Sequence, residues 1–119
     1  MIKILLIDDE EPILFFCRRV LETGGYDVTT AKSGREALDL FKSGDFSLVI
    51  TDFILPDQEA PEIVHALRAM NANIPVITMS GGNMDKISAM EEVDGVKLNG
   101  VLAKPFEIQE LLDAVKACL

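Results

Sequence analysis

The stretch I-K-I-L-L-I-D-D-E-E-P, residues 2–12, decides the fold of this chain. Its first six residues form an apolar run that only Lys3 interrupts, which is typical of a strand buried on both faces of a parallel sheet. Pro12 suits the first turn of a helix, and Glu10 and Glu11 lie at the positive end of that helix. The stretch therefore predicts a strand, an acidic turn and a helix in immediate succession.

The same strand–helix pair recurs along the rest of the chain. Further short aliphatic runs predict strands at residues 26–31, 48–51, 75–79 and 101–103. Helical spacing of apolar residues predicts helices between 12 and 24, between 33 and 44, around 63–70, over 85–93 and around 108–115. Ser33 and Glu36 form a predicted capping box. This alternation predicts an α/β fold, a doubly wound parallel five-stranded sheet with right-handed crossovers and helices on both faces.

Composition narrows the class of protein. A chain of 119 residues predicts one domain, over residues 1–119. Acidic residues outnumber basic ones 20 to 11, and the formal charge of −9 disfavours direct binding to nucleic acid. No apolar run reaches the roughly 18 residues of a membrane span. The two cysteines, Cys17 and Cys118, are expected to be structural thiols. We therefore expect a cytoplasmic protein without membrane insertion.

Chemically active side chains follow four of the five predicted strands at the point where each strand ends. Asp8 and Asp9 follow the first strand, and Asp52 follows the third. Ser80 follows the fourth strand, and Lys104 follows the fifth. The carboxyl ends of parallel strands meet at one edge of a sheet, where ligands of such folds bind. These five side chains are therefore expected to share one pocket.

This set of groups predicts a particular chemistry. Clustered carboxylates raise one another's pKa unless a cation intervenes, and Mg²⁺ prefers oxygen ligands of this kind. A carboxylate is also a competent nucleophile toward phosphorus. The transferred phosphoryl group then needs charge neutralisation by a metal and a lysine. The sequence therefore predicts an aspartyl-phosphate site with bound Mg²⁺, and Mn²⁺ is an alternative ion.

At this point the chain resembles a known family, the receiver domain of two-component response regulators, within the chemotaxis-regulator-like superfamily. Four segments carry the resemblance: Ile7-Asp8-Asp9-Glu10, Thr51-Asp52-Phe53-Ile54-Leu55-Pro56, Ile77-Thr78-Met79-Ser80-Gly81 and Lys104-Pro105-Phe106. They occur in the family's order and cover nearly the whole chain. The resemblance implies a single-domain (βα)5 flavodoxin-like fold with strand order 2-1-3-4-5.

The resemblance also implies a role for each carboxylate. Asp52 would be the phosphoacceptor and would take its phosphoryl group from the phosphohistidine of a sensor histidine kinase or histidine phosphotransfer protein. Asp9 and Asp52 would bind Mg²⁺ directly, and Asp8 would bind it partly through water. The backbone carbonyl of Ile54 would complete the set of metal ligands.

The remaining family positions are a cation, a hydroxyl and a proline. Lys104 would pair with the phosphoryl oxygens, Ser80 would hydrogen-bond to them, and the Lys104–Pro105 peptide would be cis. Phosphorylation would switch the surface formed by the fourth helix, fifth strand and fifth helix, which a target protein or fused output domain would read. Such a protein is not an enzyme in the usual sense, although it assists its own phosphorylation and dephosphorylation.

Three positions depart from the family pattern. Val101 occupies a position that usually carries an aromatic residue, Ala60 one that usually carries glycine, and Ile54 one that is often polar. Val101 and Ala60 leave open a second interpretation, a receiver-like interaction module that works without phosphorylation. A remoter alternative is a Mg²⁺-dependent phosphohydrolase with an aspartate nucleophile. Its Asp-x-Asp motif differs from the adjacent pair Asp8-Asp9.

The first predicted helix carries more apolar residues than one buried stripe can hold. One interpretation is a broad face that packs on the core. The other is that Ile13 and Phe16 stay exposed beside the site and dock a phosphotransfer partner.

Overall fold

Five parallel strands form the main sheet of the protein. The computed structural model describes residues 1–81, 92–93 and 96–119. The strands, numbered along the chain, are β1 (Lys3–Ile7), β2 (Asp27–Ala31), β3 (Leu48–Asp52), β4 (Val76–Ser80), β5 (Glu92–Val93), β6 (Val96–Lys97) and β7 (Gly100–Ala103). The main sheet has the order β2-β1-β3-β4-β7, and all its neighbouring pairs are parallel. Since β7 is the fifth strand of this sheet, the predicted order 2-1-3-4-5 is confirmed.

Four helices lie within the described residues: α1 (Glu11–Thr23), α2 (Gly34–Ser43), α3 (Ala60–Met70) and α4 (Ile108–Ala117). Pro12 lies in the first turn of α1, as predicted. Ser33 caps α2 by accepting a hydrogen bond from Glu36 N, but the Glu36 carboxylate accepts from Lys32 N instead of Ser33 N. The predicted capping box is therefore only half formed. Among the described residues, no helix is long and apolar enough to cross a membrane.

The sheet separates two hydrophobic cores because side chains of a strand point alternately to its two faces. Ile4 and Leu6 pack on the side of α1 and α4, while Leu5 and Ile7 pack on the side of α2 and α3. All four are fully buried, which explains why the first strand is apolar at successive positions. Helices on both faces leave only the edges of the sheet open for chemistry.

The predicted helix over residues 85–93 needs a correction at its end. Residues 85–91 lie outside the described residues. Glu92 and Val93 form the antiparallel strand β5, which pairs with β6. The sequence between these strands is Asp94-Gly95, a pair that favours two-residue turns between strands. Apolar periodicity alone overlooked this signal.

Both cysteines are free thiols, as predicted. Burial, together with the charge of Asp8, raises the pKa of the Cys17 thiol to about 12. Burial also raises the pKa of Cys118. Both thiols therefore stay protonated at neutral pH and act as packing groups, not as reactive thiolates.

The cap of α2 gives a first stability prediction. Replacing Ser33 with alanine leaves Glu36 N without its acceptor, so we expect Ser33→Ala to lower the free energy of unfolding by about 1 kcal/mol. Urea denaturation would measure this. Ser43→Ala is the control, since Ser43 lies at the other end of α2 and makes only a long bond to Leu40 O. Equal midpoints for the two variants would contradict the prediction.

Candidate functional site

A lysine and three carboxylates meet at the carboxyl edge of the main sheet. Lys104 follows β7, and its Nζ lies 3.0 Å from Asp8 Oδ2 and 3.4 Å from Asp52 Oδ2. The same ammonium lies 3.5 Å from Glu10 Oε1. Asp8 is fully buried, and the Lys104 side chain is only 14% exposed. One shielded cation, which follows β7, therefore bridges acidic side chains from the ends of two other strands, β1 and β3. The sequence predicted this meeting of Asp8, Asp52 and Lys104.

Each aspartate divides its two oxygens between the backbone and the lysine. Asp8 Oδ1 accepts a hydrogen bond from Glu10 N at 2.9 Å, and Asp52 Oδ1 accepts one from Phe53 N at 2.9 Å. The Oδ2 atoms of both aspartates are the ones that face Lys104. The backbone thus fixes the orientation of both carboxylates, and one oxygen of each points toward the shared cation.

Burial dominates the ionisation of the two aspartates. Burial and the neighbouring charge of Asp8 raise the pKa of Asp52 to about 6, against the opposing effect of Lys104. Burial also raises the pKa of Asp8. Burial alone would lower the pKa of Lys104, but its hydrogen bond to Asp8 and the nearby carboxylates raise it overall. The lysine is charged at neutral pH and compensates only part of the acidic cluster.

The acidic cluster has the chemistry of a divalent-cation site. Carboxylate oxygens of Asp8, Glu10 and Asp52 lie within 4.8 Å of one another. Oxygen donors of this kind fit Mg²⁺. Asp9 is exposed and lies outside this group, so its role as a direct ligand stays a prediction. Sequence reasoning assigned no site role to Glu10, although the run of four acidic residues after β1 was the available signal.

Ser80 brings a buried hydroxyl to the same edge. It ends β4, is 1% exposed, and its Oγ has no hydrogen-bond partner among the residues that the structure describes. Its backbone oxygen accepts a hydrogen bond from Lys104 N at 2.7 Å, so the ends of β4 and β7 are joined. A buried hydroxyl without a partner is suited to bond a group that arrives later.

The structure shows where the three residues that depart from the family pattern lie and how far each is buried. Ala60 is the first residue of α3, where the helical conformation strains no L-residue, so the missing glycine costs nothing there. Val101 is partly buried and packs against the core on the side of α2 and α3. Ile54 is 55% exposed, in the loop after β3.

The surface beside the site is partly apolar. Phe15 is exposed, and Phe16 packs against Phe106 with ring centroids 6.4 Å apart while remaining partly exposed. Ile13 is partly buried against the core. The Lys104–Pro105 peptide that precedes Phe106 is cis, as the resemblance implies.

Comparison with known proteins agrees with this geometry. The family model described as the response regulator receiver domain matches residues 4–116. Sporulation initiation phosphotransferase F of Bacillus subtilis is 34% identical over 118 residues, which cover 98% of this chain and 93% of that protein. The uncharacterized transcriptional regulatory protein YkoG of the same organism is 36% identical over 118 residues. That match covers 98% of this chain but 50% of YkoG, so the chain spans about half the length of several curated relatives.

Solved structures give the same result. The chemotaxis response regulator CheY4 of Vibrio cholerae superposes with a TM-score of 0.89 at 29% identity, covering 100% of this chain and 99% of that one. The response regulator protein TrrA of Thermotoga maritima, in complex with Mg(2+)-BeF, gives a TM-score of 0.86 at 28% identity over 100% of both chains.

Proposed function

Because the chain belongs to the receiver domain family of two-component response regulators, we propose that Asp52 is its phosphoacceptor. The donor would be the phosphohistidine of a histidine kinase or a histidine phosphotransfer protein. The observation that carries the proposal is the pair formed by Asp52 Oδ2 and Lys104 Nζ, 3.4 Å apart at the carboxyl edge of the sheet. In this pair, the carboxylate that would attack phosphorus lies beside the ammonium group that would neutralise the transferred phosphoryl oxygens.

Asp52 Oδ2 is the oxygen suited to attack phosphorus. Oδ1 is held by the N–H of Phe53, while Oδ2 faces Lys104. In the transfer, the new bond forms between Oδ2 and phosphorus, and the bond between phosphorus and the donor nitrogen breaks. With a pKa of about 6, the Asp52 carboxyl group is mostly ionised at pH 7.5 and needs no base.

Lys104 and Ser80 would stabilise the product. The acyl phosphate adds a charge of roughly −1.5 to −2 at neutral pH. The Lys104 ammonium is already in place to neutralise phosphoryl oxygens, and the buried Ser80 hydroxyl is available to donate a hydrogen bond. Movement of Ser80 toward the phosphoryl group would carry the signal away from the site.

A divalent cation would be held by the same carboxylates. We assign Mg²⁺ to Asp8, Asp9, Asp52 and the backbone carbonyl of Ile54, and Mn²⁺ would fit the same donors. Glu10 belongs to the acidic cluster and adds a further oxygen donor. When bound, the ion would neutralise the negative charge shared by the nucleophile and the phosphoryl group.

The output of the switch is proposed from the family. Phosphorylation would repack the surface formed by the fourth predicted helix, β7 and α4, and a target protein or a fused output domain would read the change. The fourth predicted helix lies almost wholly outside the described residues. A second candidate function is an interaction module independent of phosphorylation. Val101 favours it, because valine lacks the aromatic ring that moves into a pocket at this position in other family members.

The deciding experiment is intact mass spectrometry after incubation with Mg²⁺ and acetyl phosphate. We expect one phosphoryl adduct on the wild type and none on Asp52→Ala or without Mg²⁺. Asp45→Ala is the matched control, since Asp45 is an exposed aspartate before β3, at the opposite end of that strand. An adduct that persists in Asp52→Ala overturns the assignment. A folded wild type that binds Mg²⁺ but takes no adduct from any phosphodonor favours the interaction module.

A further inference from the structure

The loop between β3 and α3 folds back on itself as a small hairpin. Two backbone hydrogen bonds close it, Ala60 N to Phe53 O at 2.8 Å and Leu55 N to Gln58 O at 3.0 Å, and together they form the antiparallel bridge between Ile54 and Glu59. Pro56 and Asp57 form the tip. The loop begins directly after the phosphoacceptor, so its conformation decides where the backbone beside Asp52 lies.

The tip of this hairpin is tied to a different helix. The Asp57 carboxylate accepts hydrogen bonds from Gly34 N at 2.9 Å and from Arg35 N at 3.0 Å. These are the first two residues of α2, whose N–H groups have no partner inside the helix. The same two bonds lower the pKa of Asp57. Asp57, which lies 22 and 23 residues away in sequence, thus accepts hydrogen bonds from two N–H groups at the start of α2. A nearby capping residue usually accepts such bonds.

Close packing accompanies these bonds. A Cβ atom on Gly34 would lie 2.5 Å from Gln58 Oε1, so the Gln58 side chain packs directly against the first residue of α2. Lys32, just before α2, also forms an exposed ion pair with Glu11 at the start of α1. Ser33 already caps α2 through Glu36 N. The helix therefore has its own local cap, and the bonds from Asp57 add a link between elements.

We propose that Asp57 is a positioning residue whose carboxylate clasps the loop onto α2 and so holds the Ile54 peptide at the site. The inference rests on the proposed function, which gives the Ile54 carbonyl to the metal. The Ile54 side chain is 55% exposed, so little packing of its own fixes this peptide. The loop is held at its base by β3 and α3 and at its tip by Asp57, and loss of the tip contact leaves the peptide free to shift. Displacement of a ligand by a small distance weakens metal binding strongly.

The first readout is amide hydrogen exchange in the metal-free protein. In Asp57→Ala we expect the Leu55 amide to exchange about tenfold faster, because the hairpin opens when its tip is released. Ser33→Ala removes a bond from the same helix end without touching the loop, so Leu55 exchange should follow only its global stability. Asp57→Asn keeps one acceptor oxygen and should lie between the two. Equal loop exchange in Asp57→Ala and Ser33→Ala would overturn the clasp.

The second readout is the Mg²⁺ dissociation constant, measured by titration with Mg²⁺ alone. We expect a rise of about tenfold in Asp57→Ala, a smaller rise in Asp57→Asn and less than twofold in Ser33→Ala. Glu59→Gln controls for charge, since Glu59 is exposed in the same loop and its side chain does not cap α3. A Glu59→Gln effect as large as that of Asp57→Ala would overturn positioning in favour of charge. A wild type that binds no Mg²⁺ overturns the proposed metal site, while the exchange contrast still decides the clasp.

Discussion

We expect Asp52→Asn to raise the free energy of unfolding by about 2–3 kcal/mol at pH 7.5 in buffer free of divalent cations. Burial and the charge of Asp8 raise the pKa of the native Asp52 carboxyl group from the usual aspartate range to about 6. The folded protein therefore carries an unfavourable negative charge at pH 7.5, and the amide removes it. The proposed phosphoacceptor thus destabilises the fold in the absence of a cation.

The effect of this variant depends on pH with a definite sign. Because the native pKa is raised, Asp52 contributes stability that is fully present below about pH 4 and is lost as pH rises through about 6. Urea denaturation at pH 4 and pH 7.5 should thus show a gain for Asp52→Asn only at the higher pH. Asp45→Asn, at the other end of β3, should show no such contrast. The same gain at both values would show that charge burial is not its cause.

We expect Lys104→Met to slow formation of the proposed aspartyl phosphate by about a hundredfold. The ammonium lies within 3.4 Å of Asp52 Oδ2, where negative charge accumulates on the transferred group. Timed intact-mass measurements with acetyl phosphate would give the rate, with Lys104→Arg as the variant that keeps the positive charge. A rate within threefold of the wild type would remove Lys104 from the proposed machinery.

A second measurement on Lys104→Met, its affinity for Mg²⁺, distinguishes a loss of chemistry from misfolding of the variant. Lys104 is the cation that bridges Asp8, Glu10 and Asp52 in the metal-free protein. Its removal leaves the three carboxylates without compensation, so Mg²⁺ should bind more tightly than in the wild type. Slower transfer combined with tighter Mg²⁺ binding separates a chemical role from a collapsed site. Weaker binding would indicate that Lys104 supports the carboxylates structurally.

Much of the fold could be predicted from local patterns. The apolar run before Asp8 is buried on both faces, and a parallel sheet produces that pattern directly. Ser33 could be recognised as a cap because it bonds only three residues along the chain. The β5–β6 hairpin was missed because its strands have two residues each, too few for periodicity to detect.

The candidate site was predictable where it depends on strand ends. Asp8, Asp52 and Lys104 converge because parallel strands end at one edge. The membership of Glu10 depends on the side-chain conformation of an acid just after the strand, which no spacing determines. The contact of Asp57 with α2 depends on the path of a loop through space. Such long-range contacts have no local signature in the sequence.

The bond from Lys104 to Asp8 joins residues 96 positions apart in the chain. During synthesis from the amino terminus, both aspartates emerge long before the lysine that neutralises them. Until β7 has been made and docked beside β4, Asp8 and Asp52 lack the neighbouring ammonium group of Lys104. If the proposed function holds, unfinished or truncated copies would accept a phosphoryl group poorly, because the site is complete only when the sheet is complete.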